Sequence, residues 1–149
     1  MRAALTALLV AMTTVAVAAS AALASGAAGR AFVRQAFLVP ARDVGCEWIA
    51  DNGKSDLRCD QRAGMRPHPP RPKSCTLGDW GFGVALKHTG RAAFVCAGDN
   101  VVDTTAPVLR VGRTWKNGGI TCASLRSGLR CTNAAGHGFV VGPTRWQLF

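Results

Sequence analysis

The chain has 149 residues, six cysteines and a formal net charge of +10. This length suits one domain, and the lack of a second long apolar stretch excludes an integral membrane segment after the first two dozen residues. The charge favours association with anionic polymers such as wall glycopolymers, nucleic acid or acidic lipid surfaces. Genome composition is the alternative explanation, because only four of the basic residues are lysines.

The N-terminus has the layout of a secretory signal peptide. Met1-Arg2 precedes an uncharged apolar run, Ala3 to Leu23, that ends in small residues. We expect a signal peptide over residues 1–24 with cleavage before Ser25, and Ala19-Ser20-Ala21 offers an earlier cut. An uncleaved membrane anchor is the alternative, because about 20 apolar residues span a bilayer. No cysteine lies directly after the run, which argues against a lipoprotein and leaves a secreted or cell-wall-associated protein.

Residues 25–35 combine Ser, Gly, Ala and Arg without periodicity and are predicted to form a flexible leader. From residue 36 to residue 149 we predict one β-rich domain, because short apolar runs alternate with turn signals such as Asn52-Gly53 and Asn117-Gly118-Gly119. No dozen-residue stretch there has a helical period. The expected fold is mainly β, a small sandwich or barrel of antiparallel strands and hairpins. The predicted strand segments are Val44–Ile49, Leu57–Cys59, Val84–Leu86, Ala92–Cys96, Val108–Val111, Ile120–Cys122 and Phe139–Val141.

All six cysteines follow the predicted signal, and an even number in an exported chain predicts three disulfides. Sequence alone leaves many connectivities open. Short loops between neighbouring apolar runs favour one of them, in which each bridge crosses a hairpin. The favoured pairs are Cys46–Cys59, Cys75–Cys96 and Cys122–Cys131.

Two further patterns stand out along the chain. The tripeptide Leu57-Arg58-Cys59 recurs as Leu129-Arg130-Cys131, which two related hairpins or chance would explain. Residues 62–73 contain four prolines and four basic residues and are predicted to be an extended, solvated loop. That loop is either a connector between hairpins or a recognition strip for an acidic or aromatic-lined partner.

The motifs of common enzymes are missing. No Gly-x-Ser-x-Gly elbow occurs, and Glu47 is the only glutamate, which disfavours a two-carboxylate glycosidase. His68, His88 and His137 lack the paired spacings of zinc motifs, so no metal and no cofactor is expected. The most credible enzyme is a basic nuclease in which His88 and His137 exchange protons and arginines neutralise phosphate.

A ligand pocket, if one exists, is expected around His137, which is bracketed by Gly136 and Gly138. Asn133 and Asp99 are its candidate neighbours. Trp80, within a glycine-rich stretch, is a candidate stacking surface for a sugar or a base. The structural alternatives are local turn bonding for Asn133 and His137 and core packing for Trp80.

Several blocks resemble a family of small secreted actinobacterial proteins grouped as a domain of unknown function. The most specific block is Cys131-Thr132-Asn133-Ala134-Ala135-Gly136-His137-Gly138-Phe139, supported by Leu57-Arg58-Cys59-Asp60 and Cys96-Ala97-Gly98-Asp99. The family's usual polar residues before its first cysteine are replaced by Val39, Ala41 and Asp43. The resemblance implies export, a six-cysteine framework and a β-rich domain, and it brings no established activity.

These observations favour a non-catalytic extracellular or wall-associated protein that binds an anionic cell-wall polymer or another polyanion, nucleic acid included. A small secreted hydrolase, a nuclease first, is the alternative. A module that binds a protein partner is the third hypothesis.

Overall fold

The computed structural model describes residues 32–76 and 78–149. The predicted signal peptide and residues 25–31 of the predicted leader lie outside the described residues. The described residues contain no helix, and so none that could cross a membrane. Their strands are β1 (Val33–Leu38), β2 (Val44–Asp51), β3 (Lys54–Gln61), β4 (Asp79–Lys87), β5 (Ala93–Ala97), β6 (Thr114–Asn117), β7 (Ile120–Leu125), β8 (Gly128–Asn133), β9 (Gly138–Val141) and β10 (Trp146–Leu148).

The strands form two five-stranded antiparallel sheets, the first with order β1-β2-β3-β4-β5 and the second with order β10-β9-β8-β7-β6. Inward-facing side chains of both sheets make one core, including Leu57 and Val84 of the first sheet and Leu129 and Phe139 of the second. Strict alternation along β3 and β8 produces this arrangement, since successive side chains point to opposite faces. The fold is therefore mainly β and disulfide-stabilised, as predicted, and of the two predicted architectures, sandwich or barrel, it is the sandwich.

Two disulfides lie inside the core, one in each sheet. Cys46 and Cys59 face each other across β2 and β3, and Cys122 and Cys131 do so across β7 and β8, each pair with Cα atoms 4.0 Å apart. The third bridge joins Cys75 of the β3–β4 connection to Cys96 of β5. The pairs coincide with those favoured by the short loops.

The two sheets are built on one plan. In each, the second and third strands carry the disulfide and the third strand carries the Leu-Arg-Cys tripeptide at the centre of the sheet. The first strands also correspond, because Phe37 is opposite Cys46 and Trp115 is opposite Cys122. These two aromatic rings meet each other across the sandwich, with centroids 5.2 Å apart. The repeated tripeptide thus marks two similarly organised five-stranded units.

Turn positions define two ends of the sandwich. The β1–β2 end carries the turns that follow β1, β7 and β9, and the β2–β3 end carries those that follow β2, β4, β6 and β8. Glycine or asparagine supplies the positive φ values of the tight turns at Asn52-Gly53 and Gly118-Gly119. Contacts across the sandwich link turns at the same end, as when Ser55 Oγ donates to the Gly118 carbonyl.

Two sequence predictions about elements were wrong. Val33, Arg34 and Gln35 belong to β1 and not to a flexible leader; their exposed side chains gave no apolar signal, while their backbone pairs with β2. Val108–Val111 is not a strand, because it makes only an isolated bridge between Val108 and Leu38. β10 was not predicted, since three residues are too few to show a period.

Candidate anion-binding face

Charge is divided unequally between the two halves of the domain. All eight Asp and Glu side chains of the chain lie between residues 43 and 103. The stretch from residue 104 to residue 149, which contains the whole second sheet, has no Asp or Glu. It carries six basic residues, namely Arg110, Arg113, Lys116, Arg126, Arg130 and Arg145. The second half is therefore a source of positive potential that no side-chain carboxylate of its own offsets.

A strap, residues 98–103, follows β5 and crosses the outer face of the first sheet. The strap is fixed by Asp60, which is fully buried and accepts the backbone N–H of Val101 at 3.0 Å. Its close approach to β2 needs Gly45, where a Cβ would lie 2.8 Å from the Cα of Val102. The strap lies over Gly45 and Asp60, whereas Asp56 and Lys87 on the same face stay exposed.

Arg58 of β3 is neutralised under the strap. Its guanidinium makes two bonds to the Asp60 carboxylate, at 2.9 and 2.8 Å, and a third to Asp99 Oδ1 at 2.7 Å. Burial lowers the pKa of Arg58, but bonds to the two carboxylates outweigh that effect and raise it. The same contact holds the pKa of the exposed Asp99 carboxyl below its usual value. Arg58 is thus a structural cation.

Arg130 occupies the corresponding position in β8, and its surroundings differ. It is exposed and stacks over the Phe149 ring, with its Cζ 4.3 Å from the ring centroid. Within the described residues, no carboxylate is paired with it. Arg130 is therefore available to a ligand where Arg58 is not.

The outer face of the second sheet, here called the second-sheet face, is open around Arg130. Residues paired across neighbouring strands form rows that run across the sheet. Thr114 and Gln147 lie in the same row as Arg130, and Lys116 and Thr132 lie in the next row on the same face. Thr114, Lys116 and Gln147 are exposed, and Thr132 is half-buried. The face thus combines cationic groups with hydroxyl and amide groups, which can donate charge-assisted hydrogen bonds to anionic groups of a ligand.

The predicted pocket residues fall in three different places. Asn133 and His137 do meet: Asn133 Oδ1 accepts the His137 backbone N–H at 3.0 Å, and the Asn133 N–H donates to the His137 carbonyl at 2.8 Å. Asp99 lies in the strap, paired with Arg58. Trp80 packs against Phe94, with ring centroids 5.6 Å apart. These residues do not converge on one pocket.

Asn133 acts as a clamp between the sheets. Its Nδ2 donates to the carbonyls of Lys87 and Gly90, at 3.0 and 2.8 Å, in the β4–β5 turn of the first sheet. Since these two residues flank His88, Asn133 ties the turn of His88 to the turn of His137 at the β2–β3 end. Both histidines of the nuclease hypothesis are thereby held at one end of the molecule.

The proline-rich segment is exposed along most of its length, as predicted for a solvated loop, and it is also anchored to the sandwich. Its Pro69 is fully buried. The indole Nε1 of Trp80 donates to the Pro69 carbonyl at 3.0 Å, and that of Trp146 donates to the Pro67 carbonyl at 2.6 Å. Phe94 lies between the two indoles. The segment covers the aromatic side of the sandwich, so these carbonyls are already used.

No cluster of three or more His, Cys, Asp or Glu that could hold a metal is found among residues 32–76 and 78–149. Sequence reasoning did not identify Lys116 and Arg130 as site residues. The sequence feature that could have indicated Lys116 and Arg130 is the lack of any Asp or Glu after Asp103.

Fold and surface define a small, disulfide-stabilised β-sandwich with an open basic sheet face. The chain belongs to a family of unknown function (DUF6636), whose model matches residues 4–149. Neither the comparison with curated proteins nor the comparison with solved structures found a match.

Proposed function

We propose that the protein is a non-catalytic extracellular or wall-associated protein that binds an anionic polymer through the second-sheet face. The observation that carries the proposal is the lack of Asp and Glu after residue 103, combined with the open position of Arg130. Export is supported by the three disulfides, which suit an oxidising compartment, and by the apolar N-terminal sequence.

A polymer is the preferred ligand because the basic groups are spread over a surface. Lys116 and Arg130 lie on different strands of one face, and Arg110, Arg113, Arg126 and Arg145 lie in segments at the β1–β2 end. Exposed charges attract weakly one at a time and are screened by salt. A chain of phosphates or carboxylates engages many of them together and releases its counterions on binding.

The test is retention of the purified protein on immobilised wall glycopolymer, polyphosphate and DNA over a salt gradient. A Lys116→Gln/Arg130→Gln variant should elute at lower salt, because each lost phosphate contact reduces the salt dependence by about one ion. Lys54→Gln/Arg91→Gln is the matched control, since it removes the same charge from exposed positions of the first half. Absence of salt-sensitive retention on every polymer would refute the function. Equal shifts of the two variants would refute the assignment to this face.

A second candidate, a small secreted hydrolase with nuclease activity first, is favoured by one observation. Asn133 holds the turns of His88 and His137 together at the β2–β3 end. If the protein cleaves phosphodiesters there, His88→Ala and His137→Ala should each abolish turnover while the thermal unfolding midpoint stays near that of the wild type. Turnover that survives both substitutions would remove this candidate.

A further inference from the structure

A cleft of about 180 Å³ opens between the two sheets at the β1–β2 end. Its lining includes Val39 and Val44, which are core residues only 5% and 2% exposed. It also includes Val111 and Leu125, which are 46% and 40% exposed and rank among the exposed large apolar side chains of the described residues. An apolar surface therefore runs from solvent into the core.

The lining of the cleft contains one cationic and one acidic side chain. Arg126 of the β7–β8 turn lines it, and Asp43 is the carboxylate in the lining. Arg42 and Arg110 are the chain neighbours of the lining residues Ala41 and Val111. Arg42 is occupied by a bond to the Thr104 carbonyl at 3.0 Å, whereas for Arg126 no side-chain bond is described. Arg126 is therefore the lining cation that is open to a negative group of a ligand.

We propose that this cleft binds a small anionic amphiphile, with a short hydrocarbon group against Val39, Val44, Val111 and Leu125 and a phosphate or carboxylate at Arg126. Burial of the hydrocarbon supplies affinity in proportion to the apolar area removed from water. The guanidinium supplies selectivity through charge-assisted hydrogen bonds.

The size of the cleft limits the ligand. Its volume of about 180 Å³ is below the range of about 300 to 1,000 Å³ usual for drug-sized ligands. A single short hydrocarbon chain suits a cleft of this size. The site is distinct from the second-sheet face and makes no use of Lys116 or Arg130, so it adds an activity to the proposed polymer binding.

The experiment is calorimetric titration of the purified protein with octyl phosphate below its micellar concentration. Inorganic phosphate has the charge without the chain, and octyl glucoside has the chain without the charge. We expect octyl phosphate to bind at one site and each partial ligand to bind at least about tenfold more weakly, because each lacks one of the two contributions. Equal affinity of octyl phosphate and either partial ligand would overturn the proposal.

Two variants place the site. Arg126→Gln should weaken octyl phosphate binding about tenfold and leave octyl glucoside unaffected. Ala41→Phe, at an exposed position that lines the cleft, should fill it and abolish binding. Lys54→Gln, an exposed position at the β2–β3 end, is the charge control and should leave octyl phosphate binding unchanged. Unchanged affinity in folded Ala41→Phe protein would overturn the proposal. A protein that is retained on the polymers but does not bind octyl phosphate would also overturn it, and that result would leave the proposed polymer function standing.

Discussion

Gln61 and Asn133 occupy equivalent positions, each at the last residue of the central strand of its sheet. Each donates its side-chain amide to a main-chain carbonyl that belongs to the other sheet. Gln61 Nε2 reaches the Gly142 carbonyl at 3.4 Å at the β1–β2 end, and Asn133 Nδ2 reaches the Lys87 carbonyl at 3.0 Å at the β2–β3 end. The two sheets are thus clamped to each other at both ends by corresponding residues.

The two clamps should differ in strength. Asn133 makes two bonds to the first sheet and accepts two backbone N–H groups of its own turn, whereas Gln61 makes one long bond. We expect Asn133→Ala to lower the free energy of unfolding by about 2 to 4 kcal/mol and Gln61→Ala by about 1 kcal/mol or less. Urea unfolding with the disulfides intact measures both values. Equal losses would contradict the unequal clamps.

Gly83 of β4 is required by the buried carboxylate beside it. A Cβ at this position would overlap Asp60 Oδ1, so Gly83→Ala should lower the free energy of unfolding by about 1 to 3 kcal/mol. Asp60→Ala should itself be costly, about 3 to 5 kcal/mol, since it removes two bonds of the Arg58 guanidinium and leaves the Val101 N–H without its acceptor.

The overlap predicts a specific coupling between these two changes. Asp60→Ala removes the atom that the new methyl group would strike, so the double variant should be more stable than the sum of the single losses implies, by about 1 kcal/mol. Gly98→Ala is the control, because its added Cβ would meet only Gly78 Cα, at 3.8 Å. Strictly additive losses would show that the overlap is relieved in another way.

Apolar alternation and turn residues along the chain predicted the strands and turns that depend on interactions between residues close in sequence. Alternation in Leu57-Arg58-Cys59 and the Asn52-Gly53 turn sufficed to predict the β2–β3 hairpin and its disulfide. The exposed residues of β1 gave no such pattern, because an edge strand with solvated side chains is held by its backbone. Strand prediction therefore succeeded where burial of one face makes apolar and polar residues alternate along the strand.

Site prediction depended on long-range packing and was less complete. The sequence indicated that Asn133 and His137 lie together, because they share one turn. It also grouped Asp99 and Trp80 with them, but Asp99 is drawn to Arg58, which is 41 residues away in the chain. The different surroundings of Arg58 and Arg130 arise from a strap that covers one sheet only. No repeat in the sequence reveals that difference.

Acid should loosen the strap before it unfolds the core. The bond to Arg58 lowers the pKa of Asp99 in the folded protein. The ionised Asp99 therefore contributes to the stability of the fold above its unfolded pKa of about 3.9, and this contribution is lost as the pH falls through its folded pKa. Asp99→Asn should therefore flatten the fall of stability below about pH 4. Asp56→Asn, which removes an exposed carboxylate with no ion pair in the described structure, is the control. Identical pH profiles for the wild type and Asp99→Asn would refute this account.

Mild reductant should open the disulfides in a defined order. Cys96 is exposed, so a thiolate can reach the Cys75–Cys96 bridge in the folded protein. The sulfur atoms of the other bridges belong to residues no more than 1% exposed, namely Cys46, Cys59, Cys122 and Cys131. Timed alkylation with mass spectrometry should detect thiols at 75 and 96 first, whereas the core bridges open only as the sandwich unfolds. Addition of urea should then accelerate the reduction of the two core bridges far more than that of the Cys75–Cys96 bridge. Simultaneous loss of all three bridges without urea would show that the core opens as readily as the surface.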